Sequence, residues 1–116
     1  MADAFTGTVS YVRKGVARMT WTATVSGTGN PIDASHLPDK TLYLYGPTGG
    51  TTGVTIEGAY ALTGPYWSLH DVNGALLEAL VTGLVAAIQE NPPFIRPRAT
   101  TVTGGVIVTV SIEAKG

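Results

Sequence analysis

The chain has 116 residues, no cysteine, and seven Lys plus Arg against eight Asp plus Glu, for a formal net charge of -1. One domain of this length buries enough apolar surface to fold unaided, and the missing cysteines exclude thiolate zinc sites, thiol nucleophiles and a disulfide framework. Charged residues make up only 13% of the chain, which argues against nucleic acid as a direct partner; with 44% hydrophobic residues, the chain has either a surface partly covered by a partner or a compact neutral character rich in Thr and Gly.

In chain order, residues 1–8 are expected to form an N-terminal arm and 9–116 a single domain. Residues 1–6 have no periodicity, so they should be mobile or order only against something else. The N-terminus has no basic start before an apolar run, and no stretch of about 18 apolar residues exists to span a membrane. The product is expected to stay soluble where it is made, or to join an assembly there. Residues 9–13 alternate as a short strand with Val9 and Tyr11 on one face, and Lys14-Gly15 turns the chain. Ala17, Met19, Trp21, Ala23 and Val25 then alternate with Arg18, Thr20, Thr22 and Thr24. That pattern predicts a strand with an apolar core face and a threonine row turned to solvent or a neighbour.

Residues 26–40 read as a loop from their Gly, Pro, Asn, Asp and Ser content, and His36 within it reads as a surface residue without ligating partners at metal spacing. Residues 41–46 form a short strand that is apolar on both faces, Leu42 and Leu44 against Tyr43 and Tyr45, so it is either sandwiched or presents its tyrosines to a partner. The Gly-rich residues 47–53 lack the Lys-Ser/Thr pair of a phosphate-binding loop. Val54 and Ile56 point in, with Thr55 and Glu57 out, and Trp67 and Leu69 lead a short strand into the Asn73-Gly74 turn with both tryptophans expected in the core. Ser68, His70 and Asp71 do not make a catalytic triad, because neighbours on one strand cannot bond head to tail.

Residues 75–90 admit two readings. Leu76, Leu80, Leu84 and Ile88 recur at helical spacing, yet the preceding turn favours a strand over residues 75–80 followed by a helical turn or loop. Pro92-Pro93 ends either structure. Residues 94–114 are expected to close as one hairpin through Gly104-Gly105, with Val106, Val108, Val110 and Ile112 on one face. The result is an all-β chain: an antiparallel, jelly-roll-like β-sandwich of about seven or eight strands with at most one short helix.

One ordered set of residues carries a resemblance: Val54, Ile56, Glu57 and Gly58; Trp67, Leu69, Asp71 and the Asn73-Gly74 turn; Ile88 and Glu90; Phe94, Ile95, Arg96 and Pro97; and Gly104-Gly105 leading into Val106–Val110. In this set the second half of the chain resembles the small decoration, or cement, proteins of tailed double-stranded DNA bacteriophage capsids. It resembles more loosely other small β-sandwich proteins from phage structural operons. Residues 59–66 depart from the pattern, being longer and more apolar than the usual turn there.

The resemblance implies a non-enzymatic virion protein on the outer capsid surface that stabilises the shell by bridging subunits of the major capsid protein. It also implies a trimer or dimer set on a local symmetry axis. Candidate partner-binding residues are Phe5 in the arm, Tyr43 and Tyr45, and Arg96 and Arg98, whose guanidinium groups would meet a partner's carboxylates. No cofactor, metal, membrane or direct nucleic-acid partner is expected. The alternatives are a phage tail or head-completion protein with the same fold and a carbohydrate-binding β-sandwich module that stacks sugar rings on exposed aromatics. Two His, no Cys and eight unpaired carboxylates argue against an enzyme.

Overall fold

The computed structural model describes residues 4–46, 53–81, 83–101 and 108–116. Its strands are β1 (Gly7–Arg13), β2 (Val16–Ala23), β3 (Gly27–Thr28), β4 (Ile32–Asp33), β5 (Asp39–Tyr45), β6 (Gly53–Ala59), β7 (Trp67–Ser68), β8 (Leu84–Ile88), β9 (Phe94–Thr101) and β10 (Val108–Lys115). Among the described residues there is no helix, and so none long and apolar enough to cross a membrane.

Two antiparallel sheets pack face to face. The first has the order β1-β2-β10-β5-β8 and the second β3-β9-β6-β7, with β4 also on β9. β3 and β4 meet β9 at Arg98 to Ala99 and at Phe94 to Ile95, so they act as one interrupted strand. From β2 onward the chain passes between the sheets in the order of a jelly roll, with β6 and β7 adjacent in the second sheet, and β1 adds an edge to the first sheet. The expected all-β sandwich is therefore the observed one.

The alternation of β2 and β10 is the reason for this arrangement. Met19, Trp21 and Ala23 on β2, and Val108, Val110, Ile112 and Ala114 on β10, are buried between the sheets, while Arg18 and Thr22 face out. Leu42 and Leu44 on β5 continue the row, and Val54, Ile56, Ile95 and Ala99 meet it from the second sheet.

Several expectations are corrected. Residues 94–114 do not close as a hairpin: β9 pairs with β6 in the second sheet, and β10 pairs with β2 and β5 in the first. Each strand carries its own apolar row, and placing them in opposite sheets lets both rows line one core from opposite sides. The Gly104-Gly105 link lies outside the described residues. Residues 84–88 are a strand rather than a helical turn, and Leu76 and Leu80 form isolated bridges to His70 and Val54. The stretch expected to be a plain loop, residues 26–40, supplies β3, β4 and the start of β5.

The arm is also corrected where it is described. The Ala4 N–H donates to Thr28 O at 2.8 Å, Phe5 bridges Gly29 and is buried, and β1 begins at Gly7. Residues 4–8 are therefore part of the fold, because Phe5 has a core to enter; residues 1–3 lie outside the described residues.

Trp21 shows why the core tolerates so little change here. Its indole N–H donates to Asn30 O at 2.9 Å. Its ring lies so close to Gly7 and Gly29 that a Cβ on Gly29 would come within 2.7 Å of the indole and 2.8 Å of the Phe5 ring. Gly29→Ala is expected to cost about 1–3 kcal/mol by overpacking. Urea unfolding should show this as a lower midpoint at unchanged slope, and an unchanged midpoint would mean that the two rings move apart freely.

Candidate functional site

The outer face of the first sheet carries the tyrosines. In β5 they alternate with the buried Leu42 and Leu44, and Tyr43 and Tyr45 are 38% and 52% exposed. Of the two readings of this strand, the outward one is observed. Tyr43 stands opposite Ser111 of β10 and Val85 of β8, and Tyr45 opposite Thr109. With Arg18 and Glu113 they line a depression of about 270 Å³ over the buried Ser111. Arg18 and Glu113 neutralise each other through an ion pair of 3.0 Å. This face therefore offers rings and hydroxyls more than net charge.

The other predicted contacts are placed differently. Phe5 is in the core. Arg96 and Arg98 point outward from β9 as expected, but both turn to this chain's own Glu57 across the β6–β9 pair: Arg96 Nε donates to Oε1 at 3.0 Å and Arg98 Nε to Oε2 at 2.9 Å. Arg96 also stacks over the Tyr66 ring, 3.7 Å from its centre. Glu57 is buried, so its charge needs these partners, and the register that sets it opposite Arg96 supplies one of them. Both guanidinium groups are thus engaged by Glu57 within this chain, and neither lines the depression formed by the tyrosines.

A groove that the sequence reading did not find opens at one end of the sandwich. It measures about 520 Å³ and is lined by Tyr60, Pro65, Trp67, Glu90, Asn91, Pro92 and Pro93, with Gly58, Leu69 and His70 among its other walls. Trp67 was expected in the core and is 73% exposed. Its register is the core-side one, opposite Gly58, which in turn pairs with the buried Ile95. At this end, however, the indole faces open space rather than a packed layer. Gly58 allows the close approach of the walls, since a Cβ there would fall 2.5 Å from Pro92. A signal was present in the sequence: Tyr60, Tyr66 and Trp67 crowd around Gly64-Pro65, an unusual aromatic density for a turn.

The polar side of the groove is ordered. The backbone N–H of His70 donates to Glu90 Oε1 at 2.7 Å, and its Nδ1 bonds Glu90 Oε2. Burial works to raise the Glu90 pKa, but the two hydrogen bonds from His70, together with Glu90's own backbone N–H and the charge of His70, outweigh it and hold the carboxyl below its ordinary 4.5. From behind, the buried Lys40 donates Nζ to Asn91 Oδ1 at 2.6 Å. Ser68 Oγ bonds Glu78 rather than His70, so the three side chains Ser68, His70 and Asp71 form no relay. His36, exposed as expected, meets the Tyr11 hydroxyl through Nε2 at 2.9 Å. Among the described residues no group of three His, Cys, Asp or Glu is placed to hold a metal ion.

No protein-family model matches the chain, and no curated protein matches it in sequence. Solved structures match its fold. The SPBc2 prophage-derived protein YomS is similar over 92% of this chain and 100% of its own, at 17% identity and a TM-score of 0.65. A cupin domain from Bordetella pertussis is similar over 100% of this chain and 98% of its own, at 14% identity and a TM-score of 0.51. An oxalate oxidase in complex with glycolate matches at 14% identity and a TM-score of 0.56, with this chain spanning 53% of that protein. At these identities the likeness establishes the jelly-roll sandwich and nothing finer.

Two outcomes are expected from the ionic groups. Glu57→Gln leaves both guanidinium groups without their anion and should lower stability by about 1.5–3 kcal/mol in chemical denaturation; a smaller loss would mean that water replaces the carboxylate at no cost. For Glu90, a carboxyl with a depressed pKa stabilises the fold above its unfolded pKa and ceases to do so as pH falls through the folded value. The contribution that Glu90→Gln removes should therefore be lost as pH falls through and below the ordinary carboxylate range. Thermal melts of the natural chain and Glu90→Gln across pH read this directly, and a difference that persists undiminished well below the carboxylate range would contradict it.

Proposed function

We propose that this chain is a non-enzymatic structural protein of a phage virion that binds the outer surface of the assembled capsid and bridges subunits of the major capsid protein. The observation that carries the reading is the state of β1. Val9 and Tyr11 stand opposite Met19 and Ala17, in the register of the core, yet they are 48% and 59% exposed because the second sheet does not reach over them. β1 is also the edge of its sheet, so its outer backbone groups are open to strand addition. A strand that, among the described residues, has an uncovered apolar side and a free edge is suited to adhesion. The tyrosine face on the same sheet adds a second contact of interface character.

The phage setting is supported by the likeness to a prophage-derived protein of the same size, spanned in full, together with the resemblance of the second half to capsid decoration proteins. A protein that binds the assembled shell and not its free subunits stabilises the shell by mass action, about 2.7 kcal/mol per site at a hundredfold excess over the dissociation constant. Repetition over many sites multiplies the effect, and a dimer or trimer on a symmetry axis presents the same patch to each subunit.

The purified protein is expected to co-sediment with mature empty shells of its phage and to raise their disruption temperature. Replacing Tyr43 and Tyr45 together by Ala should weaken attachment by about tenfold or more, because aromatic anchors dominate such interfaces, and should leave the protein's own melting unchanged. Absence of co-sedimentation at micromolar protein would sink the proposal.

A further inference from the structure

The groove at the Trp67 end shares no lining residue with the β1 and tyrosine surfaces, and its composition is specific. It joins one apolar wall of Trp67, Tyr60 and Pro65 to a polar edge whose donors and acceptors are assigned by their neighbours. Lys40 can only donate, so the oxygen of the Asn91 amide must face it at 2.6 Å, leaving the two amide N–H groups directed away from Lys40. Glu90 can only accept when ionised, and the donors it receives from His70 occupy part of its capacity. With Nδ1 committed to Glu90, His70 retains Nε2. The edge therefore presents amide donors, a carboxylate acceptor and a ring nitrogen beside a flat indole that is 73% exposed.

We infer that this groove binds a neutral hexopyranose, with one face of the sugar ring stacked on Trp67 and adjacent hydroxyls bonded by Asn91, Glu90 and His70. A pyranose is the amphipathic ligand that such a site matches. Its axial C–H groups carry slight positive charge and meet the negative face of an aromatic ring. Each of its hydroxyls both donates and accepts, so a pair of them satisfies an amide donor and a carboxylate acceptor side by side. The groove's volume, about 520 Å³, lies within the range of about 300–1,000 Å³ usual for small-ligand sites.

Two other ligands fit less well. A proline-rich peptide would also stack on Trp67 and Tyr60, but its prolines carry no N–H and would desolvate the Glu90 carboxylate without supplying a donor. An acidic sugar would bring its carboxylate toward Glu90, and so be repelled. Lys40 does not line the groove; it is a positioning residue that orients the Asn91 amide from within the sandwich.

Fluorescence offers a direct test, because Trp21 is fully buried and Trp67 is the accessible tryptophan. Cellohexaose, maltohexaose, chitohexaose and mannohexaose, each at millimolar concentration, are titrated into the whole protein while acrylamide quenching is followed. At least one should shield Trp67. In calorimetry, Trp67→Ala should abolish that binding without changing the melting temperature, and Asn91→Ala should weaken it about tenfold, one hydrogen-bonded contact to a polar ligand. A parallel arm with insoluble cellulose, starch, chitin and mannan separates the sources: hexaose binding identifies recognition of free saccharide, whereas retention on the polymer alone identifies an extended chain. Lack of shielding by every hexaose together with no retention on any polymer overturns the proposal. So does saccharide binding that survives Trp67→Ala, or shielding by a polyproline peptide and by no saccharide. None of these outcomes bears on shell attachment.

Discussion

The inward row of β10 is the constraint on which the remaining structure depends. Val108, Val110, Ile112 and Ala114 have no measurable exposure, and β10 is hydrogen-bonded on both edges, to β2 and to β5. Full burial of one Val or Ile side chain is worth about 1.5–3 kcal/mol. Three of them in one strand therefore represent a sizeable part of the net stability of an ordinary domain, about 5–15 kcal/mol. Because side chains alternate with a period of two, a slip of one residue would turn this row to solvent, so the row fixes the register of both neighbours at once. The inner rows of β2 and β5 are then aligned with it, and the second sheet has a continuous apolar layer to close upon.

What was legible in the sequence was which way each side chain points. The alternation in β2, β5 and β10 gave the sandwich, and Trp21 lies in the core as its position in that alternation requires. What alternation cannot tell is how far the opposing layer extends. Trp67, Val9 and Tyr11 all have the core-side register, yet each lies beyond the cover of the facing sheet and stays exposed. Sheet membership was illegible for a related reason. β9 and β10 read as hairpin partners because they are adjacent and both alternate, whereas assignment to opposite sheets depends on partners far away in the chain, β6 for one and β2 for the other. The destination of Arg96 and Arg98 was likewise hidden, since the carboxylate they share lies 39 and 41 residues away.

The few charges in the described residues are largely spent within the fold. Arg18 meets Glu113, Arg96 and Arg98 meet Glu57, and Lys40 meets Asn91. Surfaces suited to contact are consequently made of tyrosines, hydroxyls and one tryptophan. Interactions of that kind are screened little by salt, unlike contacts between exposed charges. The low charge content, ambiguous in the sequence between a covered surface and a plain neutral domain, thus corresponds to faces whose binding capacity resides in shape and aromatic area.

The pairing of β2 with β10 joins residues 16–23 to residues 108–115, and the Gly116 N–H reaches back to Gly15 O at 3.0 Å. The first sheet therefore cannot be completed until β10 has left the ribosome. Until then β2 and β5 expose unpaired edges and β6 has no full layer to pack on, a condition that favours association between nascent chains. Contacts of such long sequence separation also slow folding. Assembly of the first sheet therefore waits on the eight residues of β10 finding the gap between β2 and β5.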